Sequence, residues 1–361
     1  MTRNAAALFA SIALVLSLCA WQAPALGAAS DRGAYEATAE RFLVPDCSDL
    51  HCFRVLVPWL LGPWPGSSIV KWKSYAVVAN LAAGVAVYAL SLALGLSSRA
   101  ASMAGVMSGM GFGSLYTMYD PFTSDPLMYA IGPFLTLLAI RDRLTAAGLV
   151  AAVSVLAKEF AAAPMLMSAA ASAIGRRWSE ALRVLVAANW ALIVWLVLQL
   201  TLIIGFNYSY DGNASTHLLS GGYFGYWWSH QHWTVSLFAI AGELGVLWIL
   251  APAALLMAPP RLRWLTLAAI PVAMIFGYVQ QPDRALWNFH FLATPLAAIV
   301  LDRSASVLAW SVVVLFAAAN MRLGAQLPFV PPSRLSLAAS LILGVMCVWS
   351  ATRPRNLAIP A

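Results

Sequence analysis

The chain has 361 residues, 61% of them hydrophobic and only 10% charged, with a formal net charge of +7. A soluble globular chain runs about 45–50% apolar and about 25% charged, so the composition excludes a fold surrounded by water and indicates a polytopic membrane protein. The positive balance, which in a soluble chain would point to an acidic partner, has to be read loop by loop first.

A spanning helix takes roughly 20 mostly apolar residues, about 17–25. Apolar runs of span-like character lie at 5–27, 75–97, 101–118, 127–140, 145–157, 160–175, 182–206, 233–257, 264–280, 288–301, 305–321 and 335–351. They predict an all-α transmembrane helical bundle of about 12 spans in a single integral-membrane domain over 1–361. The first run follows Arg3 and ends in Ala25-Leu26-Gly27-Ala28, as a signal peptide would, but its length favours an uncleaved anchor. With Arg3 in the cytoplasm, the inner loops carry Arg99, Arg141, Arg143, Arg176, Arg177, Arg183, Arg261, Arg263, Arg303, Arg353 and Arg355 against only Asp142, Glu180 and Asp302. The outer loops carry Arg32, Arg41, Arg54, Lys71, Lys73, Lys158, Arg284, Arg322 and Arg334, offset by most of the acids. This asymmetry satisfies the positive-inside rule. It predicts a cell (inner) membrane protein with both termini cytoplasmic and its chemistry on the extracytoplasmic side.

The first outer loop, 28–74, is expected to be structured. Ser30 is a good N-cap for a helix that places Tyr35, Thr38 and Phe42 on one face. Cys47 and Cys52 read as a small local disulfide in an oxidising compartment, or with His51 as part of a zinc site lacking an obvious fourth ligand. Phe53 to Leu61 is amphipathic, with Trp59, Trp64 and Trp72 as headgroup-level anchors. The loop either plugs the bundle, making Asp31 a helix-start charge, or carries a working carboxylate. The second outer loop holds two Asp-Pro pairs, Asp120-Pro121 and Asp125-Pro126. Asp120 reads as a cap, and Asp125 as either a cap or a carboxylate facing a cavity below Asp31.

The stretch 145–175 lies between inner arginines and must enter and return. Limbs of about 13 and 16 residues reach about 20 and 24 Å at 1.5 Å per residue, short of a hydrocarbon core of about 30 Å. The tip, Lys158-Glu159, is therefore expected below the outer surface, where ions are costly unless they line a wet cavity, meet an anion or neutralise each other. The loop 207–232 is aromatic and polar, suiting an interfacial belt or stacking on a sugar or prenyl chain. In 280–290, Arg284 and His290 are expected at the mouth of the same cavity, with Arg284 a phosphate partner or paired with Asp283. No P-loop, dinucleotide fingerprint, His-Glu-x-x-His or Gly-x-Ser-x-Gly occurs, which argues against ATP-driven transport and serine hydrolysis of those types.

Asp31-Arg32-Gly33-Ala34-Tyr35-Glu36-Ala37 just after the first span resembles the start of the polyprenyl-phosphate-dependent membrane glycosyltransferases of the GT-C superfamily. Phe53-Arg54-Val55-Leu56-Val57-Pro58, Ser124-Asp125-Pro126 and Leu156-Ala157-Lys158-Glu159 look like segments of bacterial members, so the resemblance spans roughly 1–180. It implies a GT-C-like fold and transfer of a sugar from a polyprenyl-phosphate donor to an extracytoplasmic glycan, lipid or protein acceptor, with no nucleic acid involved. Asp31 would be the general base. Lys158 and Arg284, with Arg54 as a third cation, would hold the donor phosphate, and Tyr35, Asp125, Glu159 and His290 would complete the substrate site. Metal use varies across the superfamily, so a divalent ion is compatible but not required. Many relatives carry two adjacent acids where Arg32 follows Asp31 here. The competing reading is a multi-pass transporter or lipid flippase, gated by Lys158-Glu159 and dependent on Glu243, the one acid within a full-length span. A non-catalytic scaffold is a third.

Overall fold

A computed structural model of the chain describes residues 3–23, 31–41, 54–205, 233–276, 286–321 and 330–353. Among these the regular structure is helical, with no strand. α1 (Arg3–Gln22) is followed by two short helices, α2 (Arg32–Glu40) and α3 (Leu56–Leu61), and then by the long α4 (Ser68–Ala93). α5 (Ser98–Gly109), α6 (Phe112–Tyr119), α7 (Asp125–Ile140), α8 (Leu144–Ser154), α9 (Ala163–Ile174) and α10 (Trp178–Gly205) complete the first part. α11 (Trp233–Leu244), α12 (Leu247–Ala254), α13 (Pro260–Phe276), α14 (His290–Asp302), α15 (Ser306–Asn320) and α16 (Ser333–Thr352) form the second.

α1, α4, α10 and α16 are long and apolar enough to cross a membrane, and the other apolar helices are shorter. The outward face of α10 exposes Leu182, Val186, Trp190, Ile193, Val197 and Leu200, a continuous apolar surface that water would not tolerate. The molecule is a membrane-embedded helical protein. Two runs expected to be unbroken helices are interrupted. The run 101–118 divides between Gly109 and Phe112, where Gly111 is extended, and 233–257 divides at Gly245, which has φ +47. Glycine accepts both conformations without a Cβ clash.

The interior falls into two clusters. One joins α1, α4, α5, α6 and α12–α15, where Phe9 meets Tyr88 edge-on at 5.8 Å. The other joins α3, α7, α8, α9 and α10 with Tyr35, Trp72 and Phe122 at its rim. The turns also sort by end. Asp302 at the end of α14 contacts Ser97 and Arg99 before and within α5; Asp142 after α7 meets Arg183 of α10; and Arg177 meets Glu180. The opposite end carries α2, α3 and the tip between α8 and α9.

Candidate functional site

α2 begins immediately after Asp31, whose carboxylate is exposed and makes no capping bond. One turn on, Tyr35 and Thr38 point inward, each 1% exposed. Phe42, expected on the same face, lies outside the described residues. The Tyr35 ring packs on Trp72 at 5.3 Å, Trp72 on Phe122 at 5.4 Å, and the Arg32 guanidinium covers Phe122 at 5.1 Å while pairing with Glu36. α2 is thus held down by an aromatic stack rather than by cap chemistry.

The Tyr35 hydroxyl enters a polar layer below this stack. Burial pushes its phenol pKa above the usual 10; Arg54 and the neighbouring Ser124 hydroxyl oppose the shift, while the Asp125 and Asp31 carboxylates add to it. One side chain therefore senses an acid above it and a charge cluster beneath.

That cluster is built by the hairpin tip. α8 and α9 have 11 and 12 residues, about 17 Å each at 1.5 Å per residue, and α7 starts at a comparable depth with Asp125 in its first turn. Lys158 consequently meets Asp125, its ammonium donating to Oδ1. The two side chains are only 14% and 3% exposed. Glu159 turns the other way and receives a forked contact from Arg54, Nη2 to Oε1 at 2.9 Å and Nε to Oε2 at 3.3 Å. Burial is the largest influence on the Arg54 pKa and would lower it, but the Glu159 carboxylate, Tyr35 and Asp125 together raise it overall. The Leu56 N–H donates to the Leu156 carbonyl at 3.0 Å, tying the first-loop segment to the tip through the backbone. The Leu127 N–H donates to the Tyr75 hydroxyl at 3.1 Å, fixing the start of α7 against α4.

Beside the cluster lies a cleft of about 600 Å³ between the hairpin and α10. Its walls are apolar, including Val155, Phe160, Leu166 and Leu192; Glu159 and Asn189 are polar lining residues. The Trp195 indole N–H, also on this wall, has no hydrogen-bond partner among the described residues.

Six of the residues singled out in the sequence, Asp31, Tyr35, Arg54, Asp125, Lys158 and Glu159, thus occupy one neighbourhood although they come from four separate stretches of chain. His290 does not join them. It is 1% exposed at the start of α14, with Nε2–H donating to the Tyr129 carbonyl at 3.0 Å and Nδ1 2.8 Å from the Ser108 hydroxyl. Trp287 stacks on its ring at 5.5 Å. Arg284, Cys47, Cys52 and the loop 207–232 lie outside the described residues, as does the expected ion pair at Asp283. Among the described residues, no three His, Cys, Asp or Glu side chains converge as metal ligands. Sequence reasoning missed Tyr75, which acts where α4 meets the start of α7, and gave no separate role to Ser124, which neighbours the Tyr35 hydroxyl. No family model matches the chain, and no curated protein matches it.

Proposed function

We propose that the chain is a GT-C-like membrane glycosyltransferase with about 12 spans, transferring a sugar from a polyprenyl-phosphate donor to an acceptor on the extracytoplasmic side of the cell membrane. The observation carrying this reading is the convergence of Asp31, Tyr35, Arg54, Asp125, Lys158 and Glu159 beside an apolar cleft that Glu159 lines. An exposed carboxylate near two half-buried cations suits the reaction. Asp31 takes the proton from the acceptor hydroxyl as its oxygen bonds to the sugar carbon. The bond from that carbon to the phosphate oxygen breaks with its electron pair staying on oxygen. Arg54 and Lys158 then stabilise the phosphate left on the lipid, exchanging their carboxylate partners for phosphate oxygens. The apolar cleft beside Glu159 suits a prenyl chain, and Arg284 would add a third cation.

Mass spectrometry of lipids co-purifying with the detergent-solubilised protein tests this. Wild type and Asp31→Asn should both carry a polyprenyl phosphate or its glycoside, and Lys158→Ala and Arg284→Ala should lose it. With the donor so identified, Asp31→Asn should abolish transfer at unchanged expression. Bulk phospholipid alone in all four proteins would overturn the reading and put the transporter first.

A further inference from the structure

The end of the bundle remote from this cluster carries a polar recess that sugar transfer does not use. α14 and α16 finish side by side there, with the Ser304 hydroxyl donating to the Cys347 carbonyl at 3.4 Å. Asp302 is committed sideways, accepting from Ser97 at 2.8 Å with Arg99 at 3.9 Å. Arg303, the next residue, turns away from it, and its Nη1 contacts the Met257 sulfur beyond α12. The Arg353 guanidinium carbon lies over Trp349, 3.4 Å from the ring centroid. Arg303 and Arg353, with Ser350 and Ala351, line a recess of about 370 Å³. Among the described residues neither arginine pairs with a carboxylate.

We propose that this recess binds the phosphate headgroup of an anionic phospholipid. Two planar guanidinium groups and a serine hydroxyl match the oxygens of a phosphate. The surface below the recess distinguishes a lipid from a free anion. α16 is long and apolar enough to span, and it exposes Ile342, Val345, Met346 and Trp349 along its length. Acyl chains can follow that face while Trp349 sits at headgroup level, as tryptophans do at membrane interfaces. The charge therefore lies at the top of an apolar track, which suits one amphipathic molecule.

Native mass spectrometry of the full chain, exchanged into detergent with defined phosphatidylglycerol or phosphatidylcholine, reads this site. At about 1 kcal/mol per basic residue near a lipid surface, Arg303→Ala or Arg353→Ala should weaken phosphatidylglycerol binding about fivefold, and the pair roughly thirtyfold. Replacing both arginines with lysine keeps the charge but loses the planar fork, so it should restore only part of the binding, and any restoration separates lost recognition from lost folding. Arg183→Ala, at the same end but exposed and paired with Asp142, should leave it unchanged. Equal retention by the double alanine variant, equally tight phosphatidylcholine, equal loss in Arg183→Ala or displacement by inorganic phosphate would each overturn the assignment. None of these outcomes bears on sugar transfer.

Discussion

Lys158 and Asp125 illustrate how one contact can be both costly and necessary. Desolvating two charges takes back much of their attraction, so a buried pair adds little net stability over an apolar replacement. Removing one partner is different, because the carboxylate left behind is 3% exposed. Lys158→Met is therefore expected to destabilise the protein by about 3–5 kcal/mol. Asp125→Asn in that background should return most of the loss, since a neutral amide needs no counter-ion. Unfolding in detergent of the two single variants and the double variant gives the coupling directly. Additive losses would mean that the two groups are not coupled in the folded protein. The Arg54–Glu159 pair, at 19% and 33% exposure, should show the same pattern with a smaller coupling, because solvent screens it more.

At the scale of elements, the hairpin was legible and its pairing was not. Arginines flanking an apolar stretch too short for two full crossings predict a hairpin with its tip near Lys158-Glu159, and α8 and α9 are short helices on either side of that tip. Adjacent Lys158 and Glu159 invite a self-neutralising reading, but their side chains go to α7 and to the first-loop segment instead. Those partners lie 33 and 105 residues away in sequence, and no local pattern encodes such a separation. The seat of Trp287 was equally hidden. Its fully buried ring lies on the turn between α5 and α6, where a Cβ on Gly111 would come within 2.0 Å of it and one on Gly113 within 2.2 Å. Two glycines two positions apart signal a close approach but not what approaches. Gly113→Ala must displace both Trp287 and the Tyr129 hydroxyl at 2.8 Å, and overpacking of this kind costs about 1–3 kcal/mol. A smaller ring should relieve it, so Trp287→Phe should be less damaging in the Gly113→Ala background than in wild type. Equal damage in both backgrounds would show that the ring does not set the turn.

Over the whole molecule, charge and architecture make one joint statement about orientation. α4 has 26 residues, about 39 Å at 1.5 Å per residue, so its two ends belong to opposite membrane faces if it spans. The cluster around Tyr35 lies near its start, whereas Ser97, Arg99, Asp302 and Arg303 gather beyond its finish. The positive-inside rule assigns the arginine-rich end to the cytoplasm, and a lipid-phosphate sugar donor used outside requires the opposite face for the cluster. Single cysteines in a chain with Cys19, Cys47, Cys52 and Cys347 replaced decide between the two orientations. Ser67 and Ser98 are both exposed and flank α4. On intact cells a membrane-impermeant maleimide should label Ser67→Cys and spare Ser98→Cys, and permeabilisation should expose both. The reverse pattern would place Asp31, Arg54 and Lys158 in the cytoplasm. Labelling of both on intact cells would mean that α4 does not separate two compartments, and the depth argument for the Lys158-Glu159 tip would then fall with the orientation.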